Sequence, residues 1–452
     1  MPTYLLFDVG STYTKGCVVD TDREEILAIA QSETTATTDI SEGIESVKSK
    51  MSSVLATHSI HQTLVCSSAK GGLKMVAVGL VPDLTLKAAT LACYSAGAKV
   101  VGSYSFKLNA SEIETIDISD CDILLLCGGT DGGNTEVVLY NAAKLTSLKK
   151  RFPILYAGNK SCRDEVIMIL TNAGFDVMHC DNVMPSYGQL DVDSARQKIR
   201  EQFLATITKA KGLTSLRSVL DDIVLPTPYS VMEALKLLSK GTDNEPGIGD
   251  LMAVDIGGAT TDVYSINASF ILRDDVGYKG LREPLDKRSV EGDLGVRFNA
   301  SSVLALKEQE ADEEIKEYVE AINTDVHSSA DPTLDTVLAS WCCGIATGRH
   351  VGRLESAYTP LGVSYYQTGK DLREVTKLIG IGGPILHSNV PTAILSQALA
   401  RTETPEILSP IQLDYYLDRK YVVSCLGLLA TRHPDAILRI LKKNVEKIND
   451  DQ

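Results

Sequence analysis

The polarity pattern opens on three apolar runs in quick succession, 4–9, 15–20 and 25–32, separated by turn residues, which predicts three consecutive strands. From about Ser41 the period lengthens, and Ile44, Val47, Met51 and Leu55 fall on one helical face. "TLVCSSAKGGLKMVAVG" then returns to strand character and ends in small residues. "CDILLLCGGTDGGN" is a continuous apolar run closed by four glycines, the pattern of a central parallel strand. "FPILYAGNK" and "FDVMHCDNV" predict two more strands, alternating with helices over 135–150 and 162–173. A meander followed by alternating strands and helices makes an α/β lobe.

The stretch 194–220 reads as helical and polar, and "IVLPTPYSVMEALKLLSKG" as a short strand and a helix that stops at Gly241. "TDNEPGIGD", rich in Gly, Pro and acids, has the composition of a linker. It divides the chain into lobe I, 1–245, with extra βα units at about 151–225, and lobe II, 246–452. Past it, "LMAVDIGGATTDVYSI" starts a strand–turn–strand pattern again. The charge-dense 307–320 is a solvated helix, and the chain ends on helices with apolar faces at Val422–Ala430 and Ile437–Val445.

The restart is a repeat. Asp8-Val-Gly10-Ser11-Thr12-Tyr-Thr14-Lys15 aligns with Asp255-Ile-Gly257-Gly258-Ala259-Thr260-Thr261-Asp262, since 255 − 8 and 262 − 15 both give 247. A hairpin duplicated once per lobe is far more specific than either copy. Its composition has a physical reading. A turn without Cβ atoms lets backbone N–H groups approach an anion, and hydroxyls at Ser11, Thr12, Thr14, Thr260 and Thr261 add donors. An Asp at a strand end can hold magnesium, usually through water, opposite phosphates. Two such hairpins facing each other would clamp a polyphosphate. "LIGIGGPIL" is a strand closed by Gly380, Gly382 and Gly383, where a ring or ribose could lie against backbone.

Composition narrows the partners. The 452-residue chain carries a net charge of −15, which argues against a nucleic-acid or anionic-membrane surface. The first apolar run is cut short by Asp8, and no uncharged stretch reaches membrane-span length, so a cytoplasmic location is expected. The ten cysteines form neither a disulfide framework nor a Cys-x-x-Cys pair, and are expected to be buried and reduced.

At these motifs the chain resembles the actin-like ATPase superfamily of acetate and sugar kinases, heat-shock chaperones and actin. Asp8–Lys15 looks like its first phosphate motif, Asp255–Asp262 its second and Gly380–Gly383 its adenosine motif. "TPYSVMEALKLLSKG" sits where its connecting helix crosses between lobes. That implies a two-lobed, ribonuclease H-like fold of duplicated βββαβαβα lobes with a nucleotide cleft between them. "CSSAKGGLKMVAVGLVPDLT", "CGGTDGGN", "VEGDLGVR" and "YVVSCLGLLA" narrow the resemblance to the MutL/GlmL family associated with adenosylcobalamin-dependent glutamate mutase. The mismatch-repair protein of similar name has a different ATPase fold, and nothing here resembles it.

The resemblance implies a weak Mg-dependent ATPase, with ATP, ADP and Mg2+ as ligands, acting as a chaperone-like reactivation factor. Its partner would be an adenosylcobalamin-dependent mutase, with a small second subunit or a homodimer also open. Asp8 and Asp255 are expected to be magnesium ligands through water, Asp262 to orient the attacking water and Lys15 to neutralise phosphate charge. Asp8→Ala or Asp262→Ala is expected to abolish hydrolysis with the fold intact. Asp131 and Asn134 could reach the nucleotide cleft or a partner, or simply cap the next helix. The 152–191 stretch reads as added βα units rather than a separate swivelling domain. A small-molecule kinase, or a hydantoinase- or oxoprolinase-like ATP-dependent enzyme, would keep every nucleotide motif and stays as the alternative.

Overall fold

The computed structural model describes residues 2–10, 12–34, 40–68, 73–209, 224–267, 276–326, 331–360 and 362–448. Lobe I is built on β1 (Thr3–Val9), β2 (Tyr13–Asp20) and β3 (Glu25–Glu33), an antiparallel meander, with β4 (Ile60–Ser67) parallel to β1. Five further strands follow before lobe I resumes: β5 (Lys74–Val78), β6 (Lys99–Tyr104), β7 (Ile123–Leu126), β8 (Ile154–Tyr156) and β9 (Val177–His179). Then β10 (Val224–Pro226) pairs parallel with β4 and completes the order β10-β4-β1-β2-β3.

Lobe II repeats the plan. Its strands are β11 (Leu251–Ile256), β12 (Thr261–Ile266), β13 (Val276–Tyr278), β14 (Asp286–Glu291), β15 (Arg353–Thr359), β16 (Gly362–Thr368), β17 (Lys377–Ile381), β18 (Asp414–Leu417) and β19 (Glu446–Ile448). The main sheet runs β14-β12-β11-β17-β18-β19, while β13, β16 and β15 make a small separate sheet. Read outward from the third meander strand, β3-β2-β1-β4-β10 and β14-β12-β11-β17-β18 share one order: three antiparallel strands, then two parallel ones. This duplicated ribonuclease H-like order makes the chain a two-lobed protein of the actin-like ATPase fold.

Two helices join the lobes. Thr227–Lys240 and Val423–Gly427 cross, and their apolar residues share one core with Tyr4 and Leu6 of β1, Ala253 of β11 and Ile379 of β17. The crossing is tight because Gly427 has no side chain: a Cβ there would lie 1.9 Å from the Ser230 carbonyl oxygen. "TDNEPGIGD" is a compact turn, bridged Gly241 to Pro246 and tied to the C-terminal helix by Glu245–Lys442 and Thr242–Asp435 contacts.

The insertion differs from expectation. Its strands all pair parallel, in the order β6-β5-β7-β8-β9, and make a sheet separate from lobe I. Apolar clusters cover both faces of this sheet, one around Met75, Leu125 and Phe203, the other around Val76, Leu126 and Phe152. It is a doubly wound unit whose sheet begins at Lys74, not extra βα units confined to about 151–225. "CDILLLC" is central in this sheet and not in lobe I, a distinction that an apolar run does not encode.

The inserted unit docks on lobe II. The helix Lys87–Ser95 packs on β14, the Lys87 ammonium lies 2.8 Å from Glu283, and the Leu281 N–H donates to the Asp83 carbonyl. Among the described residues, no helix is long and apolar enough to cross a membrane. All ten cysteines are free, nine of them buried.

Candidate functional site

The two hairpins are twins in register as well as in sequence. Asp8 is the cross-strand partner of Lys15 and Asp255 of Asp262, while Val9 faces Thr14 and Ile256 faces Thr261. Each turn closes through the same bond, Gly10 N–H to the Tyr13 carbonyl and Gly257 N–H to the Thr260 carbonyl, at 3.0 and 2.9 Å. Gly10 is constrained: a Cβ would lie 2.8 Å from the Tyr13 carbonyl oxygen.

Strand alternation decides which hydroxyls face the turn. Asp8 and Lys15 share one face of β1–β2, so Thr14 points the other way, buried and bonded to the Thr34 hydroxyl at 2.9 Å. In the second hairpin the Thr261 hydroxyl is likewise buried and donates to the Leu294 carbonyl. Thr14 and Thr261 are therefore packing residues, not hydroxyl donors to a phosphate. Thr12 is exposed and Thr260 half-buried at the turns, beside Gly257 and Gly258, and Ser11 lies outside the described residues.

Asp8 is buried, and its carboxylate fixes the lobe-crossing helices. Oδ1 accepts from the Thr227 hydroxyl at 2.7 Å and Oδ2 from the Ser424 hydroxyl at 2.8 Å. Neither hydroxyl is in the hairpin, so the motif alone did not point to them.

A third acid joins Asp8 and Asp255. Asp418, buried just past β18, accepts the backbone N–H groups of Val422 and Val423 at 2.9 and 3.1 Å. Burial pushes the carboxyls of both Asp255 and Asp418 up to about 7. Asp8 raises both further, and the charge of Lys15 opposes the shift in each. Lys15 reaches across the cleft, its ammonium 4.2 Å from the ring centroid of Tyr421. Tyr421 holds a left-handed backbone, φ +53°, and its hydroxyl lies 2.8 Å from His387 Nε2.

The glycines after β17 divide by role. Gly380 is a packing position, where a Cβ would meet Ile385 and Leu417 at 2.9 Å. Gly382, φ +93°, lies against the second hairpin: a Cβ there would be 2.2 Å from the Ile256 carbonyl oxygen and 2.7 Å from Asp255 Oδ1. Gly383 faces Tyr421 and His387.

Two assignments change. Asp262 is paired with Arg288, whose Nε and Nη2 lie 2.7 and 2.6 Å from Oδ1, and both side chains are buried. It is a structural ion pair rather than a free base for water. Asp131 sits in the inserted unit, where its Oδ1 accepts from the Lys160 N–H and the Asn182 amide, both at 3.0 Å. Its carboxylate braces the loop after β7 and is not grouped with the hairpins. Asn134 lies one residue before the helix N-cap, Thr135, and accepts from the Val137 N–H at 3.2 Å. Glu291 and Asp293 pair with Arg349, and Arg297 with Asp335.

The residues present fit a magnesium nucleotide. Asp255 and Asp418 both sense the charge of Asp8 against that of Lys15, an excess of negative charge that a divalent cation would relieve. Among the described residues, no three His, Cys, Asp or Glu side chains converge to hold a metal unaided. Magnesium bound through one or two carboxylates, water and phosphate oxygens needs no such cage. A Cβ at Gly10 or Gly382 would press on the hairpins' own carbonyls, so these glycines keep both turns tight.

Comparison with known proteins agrees on the family. A protein of Clostridium tetanomorphum called Protein MutL is 42% identical over 465 residues, covering 99% of this chain and all of that one. Structural similarities are more distant. Nucleotide-free acetone carboxylase is 13% identical, covering 94% of this chain and 70% of its own, with a TM-score of 0.38. The activator of 2-hydroxyisocaproyl-CoA dehydratase from Clostridium difficile, with bound ADPNP, is 11% identical over 99% of both chains, with a TM-score of 0.32. The family described as MutL protein matches residues 4–445, and the chain belongs to it.

Proposed function

We propose that this protein is an ATP-dependent reactivation factor for an adenosylcobalamin-dependent mutase of the glutamate mutase type. The observation that carries the reading is the pair of register-matched hairpins, with Asp8 tied to both helices that join the lobes. A change at the hairpin turn is thereby felt at the lobe junction. The family membership supports the choice of partner.

In this reading Asp8 and Asp255 hold Mg2+ through water, and Gly10, Thr12, Gly257, Gly258 and Thr260 line the polyphosphate. Gly382 and Gly383 take the adenosine side. Magnesium neutralises phosphate charge when bound, and Lys15 leaves the Tyr421 ring to add a second cation. Asp262 holds Arg288 rather than water. ATP and ADP can bias a partner only if the lobe arrangements they favour bind it differently. Adenosylcobalamin enzymes carry out radical chemistry, and loss of the adenosyl group leaves an inactive cobalamin in place. A factor that favours a loose mutase state would let that cobalamin exchange.

The test adds this protein, ATP, Mg2+ and free adenosylcobalamin to a cobalamin-inactivated glutamate mutase. Recovery of mutase activity that needs all four additions is expected. No recovery, together with ATP-dependent phosphorylation of a metabolite, would favour a small-molecule kinase instead.

A further inference from the structure

A cavity of about 530 Å3 lies where three units meet, which is within the usual size of a small-ligand site. The inserted unit contributes Leu91 and the 188–196 segment, lobe I contributes Lys236 and Lys240, and lobe II contributes 282–288. Its lining is richer in basic side chains than the chain as a whole. The lining carries six Lys and Arg to four Asp and Glu, whereas the whole chain has 44 to 59.

Acids outside the lining offset part of this excess, since Arg288 is paired with Asp262 and Lys236 lies 3.2 Å from Glu233. Glu283 lies between Lys87 and Lys287, at 2.8 and 2.6 Å, and Asp286 faces Lys236 at 3.6 Å. Asp191 and Asp193 are exposed, and Asp193 is the neighbour of Arg196 on its own helix. Arg196 and Asp193 form an ion pair of 2.6 Å, but the Asp193 carboxylate is largely exposed, and water screens a pair open on one side. Lys240 has no ion-pair partner among the described residues. Lys240, and Arg196 with its carboxylate partner Asp193 exposed, therefore line one cavity from different units.

We propose that this cavity is a binding site for a small dianion, inorganic phosphate or a short dicarboxylate, held by Arg196 and Lys240. Binding there bridges the inserted unit and the connecting helix of lobe I. The site is independent of the nucleotide reading, because neither residue belongs to the hairpins.

The test is calorimetric titration of the full chain, with ADP and Mg2+ in excess, by inorganic phosphate and by succinate separately. One dianion per chain is expected, with affinity reduced about tenfold in Arg196→Gln and in Lys240→Gln, the loss of one charge-assisted contact each. ADP affinity should be the same in both variants. Binding of phosphate alone or of succinate alone identifies the source. No saturable heat from either titrant up to about 10 mM, or parental affinity in both variants, overturns the proposal. If the protein binds no nucleotide at all, the titration without ADP still decides this site.

Discussion

The Ser424 hydroxyl donates to Asp8 Oδ2 over 2.8 Å, joining a strand of the first hairpin to a helix 416 residues later in the chain. With Thr227 on the other oxygen, the carboxylate is a three-element joint at the floor of the cleft. Replacing Ser424 by Ala removes one donor to a buried charge, worth about 1.5–3 kcal/mol. Urea unfolding should show that loss for Ser424→Ala and most of it regained in Ser424→Thr. An unchanged midpoint would mean that the joint carries no stability.

Asp262 and Arg288 make a prediction that the sequence alone places wrongly. Removing one member of a buried pair strands the other charge, at about 3–5 kcal/mol. Arg288 also donates from Nη1 to the Tyr94 and Ala98 carbonyls at 3.2 and 3.1 Å, so the strain reaches the inserted unit. Asp262→Ala should therefore lower thermal stability strongly, and lost ATP hydrolysis in that variant would reflect the fold. Parental melting would overturn the structural role.

Gly427 meets the Ser230 carbonyl where the two connecting helices cross. Gly427→Ala must push them apart, an overpacking cost of about 1–3 kcal/mol. Unfolding should be easier in this variant, and Gly348→Ala, where no atom lies within 4 Å of an added Cβ and the backbone is helical, should not share that cost. Equal effects would argue against a close crossing.

Lys370 supplies a pH test. It is buried, donates to the Ser265 and Leu285 carbonyls, and burial lowers its pKa to about 7. The unfolded chain, with an ordinary lysine, then binds more protons between about pH 7 and 10 than the folded one, and stability from this group rises with pH across that window. Lys370→Met should remove that rise when unfolding is followed at a series of pH values. Parallel pH profiles for the two proteins would contradict it.

Much of the architecture was legible in the sequence because the duplicated hairpin carries both a composition and a spacing. Asp8, Asp255 and the turn glycines fell in register because a period of two fixes which residues face each other. The same period, applied to Thr14 and Thr261, turns their hydroxyls inward, which a count of donors in a motif overlooks. Thr227, Ser424 and Asp418 were missed because they reach the cleft through tertiary contact, far from either hairpin in sequence. The inserted unit was misplaced because "KMVAV" and "ILLL" have the same apolar character whichever sheet they enter, and pairing partners are not written locally.

The central claim is that the twinned hairpins grip a magnesium nucleotide between the lobes. Isothermal titration of the full chain with ATP, with and without Mg2+, tests it most directly. One nucleotide per chain is predicted, with binding weakened by chelation of Mg2+ and by at least about tenfold in Asp255→Asn and Lys15→Met. Absence of heat with ATP and ADP, or affinity unchanged in both variants, would contradict it.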